Sequence, residues 1–441
     1  MKNKLLLLAT LFTFSFGFSQ KQWTLKECVD YALKNNITIK QNELNVDLAK
    51  LNAKDAKNVF LPDFSASTGG NLSFGSTFDP VSQNRISQTI FGGSLGASSG
   101  VSVFNGFRNL NTYKQAKLGI ERSKLTLEQI QNDISLRVVN TYLNVLFAKE
   151  NYNVAKTQAE ISQGQIKAAK ERYENGIIPK ADYLNVEATA ANDVQNLVTI
   201  ENTLTIAKLN LAQLLQLPAE GFDVEDVDVG SPAATMYYSN ADLVYQKALT
   251  TQPQIKNAEL GIKNADFNIE IAKGAFLPTF TFGANISTNY GFLLNSRFPN
   301  IKLSTQLSDN LGYGFGFSLN VPIFNRFRTK TNVDRQFVNK EISKVNLDNQ
   351  KLQLQQTIEQ AYTDAKAAAK AYEAARVSLE SQREAFKNAQ ESFTLGGMTL
   401  FDFDLVRNRL VAAESTLIRN KYDYVFKTKV LQFYYGELEL E

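Results

Sequence analysis

The side chains of this 441-residue chain that could do chemistry are acids rather than nucleophiles or metal ligands. The chain has no histidine, which removes the commonest general base and metal ligand, and it has one cysteine, Cys28. A lone cysteine forms no internal disulfide. Three neighbouring glycines, Gly92, Gly93 and Gly96, lie on a strand pattern and not in a phosphate-binding loop. The sequence therefore predicts no catalytic residue, no metal site and no cofactor.

Two aspartates, Asp182 and Asp402, share one local context. Each follows a glycine by six positions, Gly176 and Gly396 respectively, and each lies at the start of a predicted helix. An acidic side chain in a first helical turn accepts hydrogen bonds from free backbone N–H groups and complements the helix dipole. This structural role is compatible with a role as a fixed negative charge at a functional site, and the residues themselves leave both open.

The two aspartates correspond because the chain is an internal duplication. Phe60-Leu61-Pro62 recurs as Phe276-Leu277-Pro278, at an offset of 276 − 60 = 216. Phe104-Asn105 recurs as Phe324-Asn325, at an offset of 324 − 104 = 220. Solenoid repeats run roughly 20–50 residues, so this period indicates a duplicated half-protein. The change of four positions in the offset predicts hairpin loops of different length, near Pro80 and Pro299.

Residues 1–19 have the pattern of a secretory signal peptide. Lys2 and Lys4 precede an apolar run, and Gly17 and Ser19 supply the small residues of a cleavage site. Cleavage lowers the net charge from +3 to about +1, which gives no electrostatic case for nucleic acid binding. Cys28 is too far along to carry a lipid anchor. No later apolar run reaches the roughly 20 residues of a spanning helix, so the exported chain either stays free or enters a membrane as strands.

Four stretches alternate between apolar and polar side chains, at about 61–78, 89–104, 277–292 and 309–324. A soluble β-sandwich alternates too, but here the polar faces are Gly, Ser, Asn and Thr almost without charge. The apolar faces end in aromatic residues, as an aromatic girdle would: Phe74, Phe78, Tyr290 and Phe292. Each stretch exceeds the roughly 9–11 residues of a transmembrane strand. Four strands close no barrel, so we expect several copies to combine; three would give twelve strands, and two or four would also close.

The remaining pattern predicts two long helical hairpins, at about 107–217 and 327–435. Residues 109–174 and 329–394 lack proline, so each long helix would have about 66–68 residues and a length on the order of 100 Å. The returning helices step by strict sevens, which specifies coiled-coil packing. The two repeats, 20–217 and 241–441, are joined by an acidic segment, 218–240, which we expect to be irregular and to lie outside the helices.

Taken in order, these features resemble the TolC family of outer-membrane channel proteins over essentially the whole mature chain. The motifs are Leu61-Pro62 and Leu277-Pro278 at strand entry, residues 321–324 after the second hairpin, and the glycine–aspartate spacing at the helical tips. The resemblance implies a homotrimer with a twelve-stranded barrel in outer-membrane lipid and a helical tunnel across the periplasm. It also implies docking to a periplasmic adaptor and an inner-membrane pump, for export of drugs, metals or proteins. The tip residues expected at the adaptor are Gly176, Ile177, Pro179, Gly396 and Gly397.

The resemblance further implies a gate at the periplasmic mouth. Family aspartates that ring the mouth match Asp182 and Asp402, and a ring of carboxylates in a narrow lumen attracts cations. Asp404 is an additional candidate, although Leu405 occupies the family's second acidic position.

One departure concerns the contacts that close the mouth. The tyrosine and arginine that lock the mouth in well-known members match Phe393 and Met398, which cannot form those polar links. A closed mouth must therefore rely on other contacts.

A second class of protein stays open at this point. A trimeric coiled-coil stalk with a β head, serving adhesion, would also contain long helices and strands. Such a stalk would need neither the duplication nor strands with uncharged polar faces, which favours a passive export duct with no enzymatic activity.

Overall fold

The computed structural model describes residues 21–79, 83–226, 239–294 and 299–437, which are mainly helical. The strands are β1 (Gln22–Trp23), β2 (Asp63–Asp79), β3 (Asn84–Asn105), β4 (Asp223–Val224), β5 (Thr279–Leu293) and β6 (Gly312–Asn320). The helices are α1 (Leu25–Asn35), α2 (Ile37–Asn58), α3 (Arg108–Glu174), α4 (Lys180–Leu215), α5 (Ala241–Thr251), α6 (Pro253–Lys273), α7 (Leu303–Asp309), α8 (Arg328–Thr394) and α9 (Leu400–Tyr435). The predicted signal peptide, the loop at Pro80 and residues 227–238 of the predicted linker lie outside the described residues.

The chain divides into two compact units. The helical unit comprises Met1–Leu44, Leu125–Lys256 and Asp348–Glu441, and the sheet unit comprises Asn45–Lys124 and Asn257–Leu347. Within the part of the chain that the structure describes, no helix combines the length and the hydrophobicity that crossing a bilayer requires.

The sheet unit is built on one four-stranded antiparallel sheet in the order β2-β3-β5-β6. Both repeats contribute a hairpin, and the hairpins meet where β3 pairs with β5, from Asn105 opposite Thr279 to Ile90 opposite Leu293. The apolar side chains of the alternating pattern remain exposed, including Phe74 at 74% and Phe317 at 76%. Among the described residues, nothing of the same chain therefore covers this apolar sheet face.

The last strand is shorter than the sequence predicted. The pattern placed it at about 309–324, but β6 has nine residues, Gly312–Asn320. Pro322 lacks the backbone N–H that a ladder needs, so the strand ends before it. On the other side the chain forms α7, whose carboxyl-terminal residue is Asp309. All four strands were expected to exceed the roughly 9–11 residues of a transmembrane strand, and β6 does not. The other three strands do, since β2, β3 and β5 have 17, 22 and 15 residues.

The helical unit contains the returning helices α4 and α9, each of 36 residues and each with a seam of residues spaced by seven. None of the ten seam residues is exposed: Tyr183, Ala190, Leu197, Leu204, Leu211, Phe403, Leu410, Leu417, Tyr424 and Leu431. Buried apolar side chains at this spacing are what hold two helices in a coiled-coil arrangement.

The linker differs from expectation in its first part. Asp223 and Val224 pair in parallel with Gln22 and Trp23, so this part is not irregular. Val224 is fully buried, and the linker's Phe222 joins the same apolar cluster as helices α1, α3 and α4. Burial of these two apolar side chains outweighs the acidic composition of the segment and places Phe222 and Val224 in the core rather than outside the helices.

Candidate functional site at the helical tips

Both long helices end in the same backbone motif. The N–H of Gly176 donates to the carbonyl of Tyr173, and the N–H of Ile177 donates to the carbonyl of Arg172. The second tip repeats both bonds at Gly396 and Gly397. Gly176 and Gly396 have φ angles of +70° and +77°, and no other atom crowds them, so the left-handed conformation is what requires glycine here. These bonds close the helix ends and allow the chain to reverse in a short turn.

An aromatic pair joins the two arms of each tip. Tyr173 stacks on Tyr183 with ring centroids 5.8 Å apart, and Phe393 stacks on Phe403 with centroids 4.8 Å apart. The pairs occupy corresponding positions, since 393 and 403 each exceed their counterparts by 220. Stacked pairs stabilise by about 0.5–1.5 kcal/mol beyond the apolar area that they bury. The structure thus gives Phe393, a predicted mouth residue, a packing contact inside its own hairpin.

A groove of about 770 Å³ lies between the two tips and contains five of the predicted site residues. They are Asp182, Phe393, Gly396, Met398 and Asp404. Other predicted residues, Asp402, Gly176, Ile177, Pro179 and Gly397, do not line it. The structure therefore brings the two hairpins together at one open groove, with acidic and apolar side chains side by side.

The two predicted aspartates begin their helices in different ways. Asp402 is exposed, and its N–H donates to Thr399 Oγ1 over 3.2 Å while Thr399 Oγ1 donates to the Asp402 carboxylate over 2.7 Å. Asp182 is half-buried in the first turn of α4, where the N-cap residue Pro179 has no capping side chain. Both carboxylates lie in the first turn of their helices, where a negative charge complements the helix dipole.

A buried ionic cluster lies deeper between the hairpins, and we call it the tip cluster: Ser162, Gln165, Asp193, Asp404 and Arg407. Arg407 is 2% exposed, and its Nη1 donates to Ser162 Oγ over 3.1 Å and to Gln165 Oε1 over 3.2 Å. Its Nη2 lies 3.4 Å from Asp404 Oδ1 and 3.5 Å from Asp193 Oδ2. Ser162 also bonds to the Asp193 carboxylate. Because Ser162 and Asp193 belong to the first hairpin and Arg407 to the second, this cluster ties the two hairpins together.

Burial in the tip cluster changes the pKa of the Asp404 carboxyl. Desolvation raises its pKa above the ordinary value, while the Arg407 guanidinium and a 3.5 Å contact with Thr189 Oγ1 act in the opposite direction. Its proton is therefore held to a higher pH than that of a solvated aspartate. Asp404, one of the three predicted acids, is thus a member of a buried ion cluster and is only partly open to the groove.

Sequence reasoning missed Arg407, although a signal was present. Arg407 follows Phe403 by four positions and precedes Leu410 by three, so it is a charged residue on the apolar seam of α9. Its counterpart in the first repeat, at position 407 − 220 = 187, is Glu187, of opposite charge. A charge on a buried stripe needs a partner, and a charge reversal between copies marks a place where the two hairpins are not equivalent.

The described residues offer neither a metal centre of clustered ligands nor a reactive thiol. In the described ranges, no group of three or more histidine, cysteine, aspartate or glutamate side chains is arranged to hold a metal ion. Cys28 is fully buried, and burial raises the pKa of its thiol to about 12. That thiol stays protonated at neutral pH and is a poor nucleophile.

Comparison with known proteins gives a consistent result. A family model described as "Outer membrane efflux protein" matches residues 28–216 and 244–437, which is both repeats. The outer membrane efflux protein BepC of Brucella suis is 22% identical over 413 residues, covering 92% of this chain and 84% of BepC. The outer membrane protein TolC of Vibrio cholerae is 25% identical over 322 residues, covering 70% of this chain and 68% of that protein. The fold is similar to the Campylobacter jejuni CmeC outer membrane channel, with a TM-score of 0.75 at 19% identity over 95% of this chain and 86% of that chain.

Proposed function

The chain belongs to the outer membrane efflux protein family, and on that premise we propose that it assembles as a homotrimer into a passive export duct. It is an outer-membrane channel of the efflux and secretion kind. In our proposal three sheets close a twelve-stranded barrel, and the helical hairpins continue the duct through the periplasm. The adhesive stalk is not favoured, because the family consists of channels.

The observation that carries this proposal is the open edge on each side of the sheet. No strand in the described part of the chain pairs with the outer edge of β2 or of β6. An open edge in lipid leaves backbone N–H and C=O groups without partners, at a cost of several kcal/mol each. Pairing β6 of one copy with β2 of the next removes both edges at once. The exposed apolar face, which includes Phe74, Tyr313 and Phe315, then supplies the lipid-facing surface.

Energy for transport must come from partners in this proposal. We assign no catalytic role to any residue, and we place a periplasmic adaptor and an inner-membrane pump at the tips. The tip turns, with Gly176, Ile177, Pro179, Gly396 and Gly397, are the proposed adaptor contact. Drugs, metals and proteins are the cargo classes that such an assembly exports.

The proposed gate has two parts. Asp182 and Asp402, present three times each in a trimer, give the mouth a ring of negative charge that attracts cations. The tip cluster around Arg407 supplies the polar connection between hairpins that Phe393 and Met398 cannot provide. In this arrangement Arg407 restrains the second hairpin, and movement of the hairpin requires its ion pairs to separate.

Conductance in planar bilayers tests the proposal. We expect the purified protein to form discrete channels that prefer cations. Asp182→Asn combined with Asp402→Asn should reduce the cation preference severalfold without reducing the number of insertions. Asp242→Asn is the matched control, because Asp242 also lies in the first turn of a helix but not at a tip.

Two results would contradict the proposal. Absence of any conductance from well-folded protein would exclude the duct. Unchanged ion selectivity in the double variant, with normal conductance, would remove Asp182 and Asp402 from the mouth while leaving the duct in place.

A further inference from the structure

The segment Pro299–Leu311, which we call the edge cap, covers a part of β5 that β6 is too short to reach. The ladder between β5 and β6 ends where Ser287 pairs with Gly312, but β5 continues to Leu293. Side chains of the edge cap then take the place of a strand: the N–H of Gly291 donates to Gln306 Oε1 over 2.7 Å.

The side-chain amides of two more edge-cap residues also bond to the backbone of β5. The amide of Asn300 bonds to both the N–H and the carbonyl of Leu293, over 2.9 and 3.0 Å. The side-chain amide of Asn310 donates to the carbonyl of Asn289 over 2.6 Å. The edge of β5 therefore keeps its hydrogen bonds beyond the point where its partner strand stops, as a protected edge must.

The opposite side of α7 is polar, and it makes no contact of this kind with any residue that the structure describes. Gln306 faces β5, because its side chain accepts from the N–H of Gly291, and the Leu307 carbonyl also accepts from Thr288 Oγ1 over 2.8 Å. At about 100° per residue, Ser304 and Ser308 lie on the far side of the helix, and both are exposed. A short helix with hydrogen-bonding side chains on both faces can cap two strand edges.

The internal repeat predicts which strand edge lies next to the exposed face of α7. The junction of β3 with β5 joins the second strand of the first hairpin to the first strand of the second hairpin. The corresponding junction joins β6 to β2, and these are at opposite ends of one sheet, so β2 must come from another copy. Adding 220 to a β3 residue and subtracting 216 from its β5 partner converts one junction into the other. Gly96 opposite Ser287 becomes Gly316 opposite Asn71, and Gly92 opposite Gly291 becomes Gly312 opposite Gly75.

The derived register agrees with the side chains. All four positions of the Gly92–Gly291 pair and of its derived counterpart are glycine. Phe315 falls opposite Leu72, and Tyr313 falls opposite Phe74. Exposed apolar side chains therefore share one face across the junction of β6 with β2 between copies, which we call the strand seam. Pairs on the same face are what stabilise neighbouring strands. In this register β6 ends at Gly75, and Ser76–Asp79 of β2 extend beyond it.

We propose that the edge cap of one copy docks against Ser76–Asp79 of β2 in the neighbouring copy and so completes the seam between them. The exposed face of α7 provides hydroxyl groups for the free backbone groups of that edge, as Gln306 does for β5. The occupant is a second copy of this chain, and the inference rests on the proposed trimer. The longer loop of the second hairpin then supplies the edge cap. The edge cap covers the part of the junction between copies that β6 does not reach.

Disulfide cross-linking with two pairs of introduced cysteines tests the edge cap and the pairing of β6 with β2 separately. Ser308→Cys with Ser76→Cys tests the cap, and Gly316→Cys with Asn71→Cys tests the strand register. A side chain at Gly316 meets no atom within 4 Å in its own chain, so that change is tolerated. Cys28 adds no background, because it is fully buried.

The exchanged combinations, Ser308 with Asn71 and Gly316 with Ser76, are the controls. Each exchange shifts a cysteine five positions along β2, or roughly 17 Å at about 3.4 Å per residue, which exceeds the reach of a disulfide. Cross-links within one copy are also excluded, since β2 and β6 are three strand spacings apart.

We expect both matched pairs to give covalently linked multimers on a non-reducing gel after heating, and both exchanged pairs to remain monomeric. Cross-linking through Gly316 and Asn71 without cross-linking through Ser308 and Ser76 would overturn the edge-cap proposal and leave the trimeric duct standing. Failure of both matched pairs would overturn the seam itself, and the proposed function with it.

Discussion

Arg407 is the largest fully buried side chain among the described residues, and it carries a charge. Burying an ion costs several kcal/mol unless close partners compensate it. Two carboxylates, those of Asp193 and Asp404, lie within 3.5 Å of its guanidinium and are themselves 17% and 18% exposed. This pairing is specific rather than strongly stabilising, because apolar side chains of the same volume would pack as well. At the scale of one residue, the cluster fixes which hairpin surfaces meet.

Removing one member of the cluster should therefore cost more than removing a surface ion pair. Arg407→Met leaves Asp193 and Asp404 without a counter-charge, and we expect a loss of about 3 kcal/mol in the stability of the tips. Arg376→Met is the control, because Arg376 forms a solvent-exposed pair with Glu373, and water screens such a pair so that it contributes little. The measurement is the rate of proteolysis at the tips of the folded protein.

A rescue variant makes this prediction specific. Arg407→Met together with Asp193→Asn and Asp404→Asn should recover most of the lost protection, since no unpaired charge remains. Equal protease resistance of Arg407→Met and Arg376→Met would show that the cluster does not connect the hairpins.

At the scale of elements, the junction between strand and helix is the most constrained place in the sheet unit. Gly106 and Gly274 approach each other so closely that a Cβ on Gly106 would overlap the carbonyl oxygen of Gly274. Gly106 also has a φ of +69°, a conformation that other residues adopt only with strain. This contact joins the end of β3 to the end of α6, and it lies next to the β3–β5 pairing.

Gly106→Ala should destabilise the sheet unit by at least about 1–3 kcal/mol, because the backbone must move and the left-handed conformation is strained. Gly119→Ala is the matched control in α3, where no atom lies within 4 Å of the added Cβ. That change should be neutral or stabilise by up to about 1 kcal/mol through helix propensity. Thermal unfolding of both variants distinguishes these outcomes, and equal midpoints would refute the close-contact argument.

At the scale of the whole molecule, the main constraint is that the described residues of one chain leave both sheet edges unpaired and the apolar sheet face exposed. If the seam closes between three copies, membrane extracts kept cold should show a band of about three times the monomer mass on a mild detergent gel. Heating should convert this band to monomer, because only non-covalent strand pairing and helix packing hold the copies together. A monomeric species that remains inserted in the membrane would contradict closure between chains.

Much of the fold was predictable from local pattern. The tips fall where the glycines and the loss of helical pattern placed them, since Gly176 and Gly396 adopt the left-handed conformation that ends each long helix. The seam of sevens on α4 and α9 has no exposed residue, because a repeat of seven fixes one face of a helix. The strand stretches form strands for the same reason, as alternation fixes two faces.

The differences arise where partners distant in sequence decide the outcome. The sequence placed the last strand at about 309–324, but Leu303–Asp309 form α7, whose Gln306 bonds to the free edge of β5. Val224 looked like part of an acidic linker, and its burial depends on pairing with Trp23, at the far end of the first repeat. The roles of Asp182, Asp402 and the tip turns at the channel mouth remain predictions that the conductance experiment tests.

The sequence by itself determined the duplication, the order of elements, the two tips and the channel family that the chain resembles. Those features depend on local periodicity and on comparing one half of the chain with the other. Tertiary structure decided that Arg407 joins the two hairpins and that Asp404 belongs to its buried cluster. It also decided that amides of the edge cap replace a strand on β5. Each of these depends on contacts between side chains far apart in sequence, and such contacts follow from packing in three dimensions rather than from spacing along the chain.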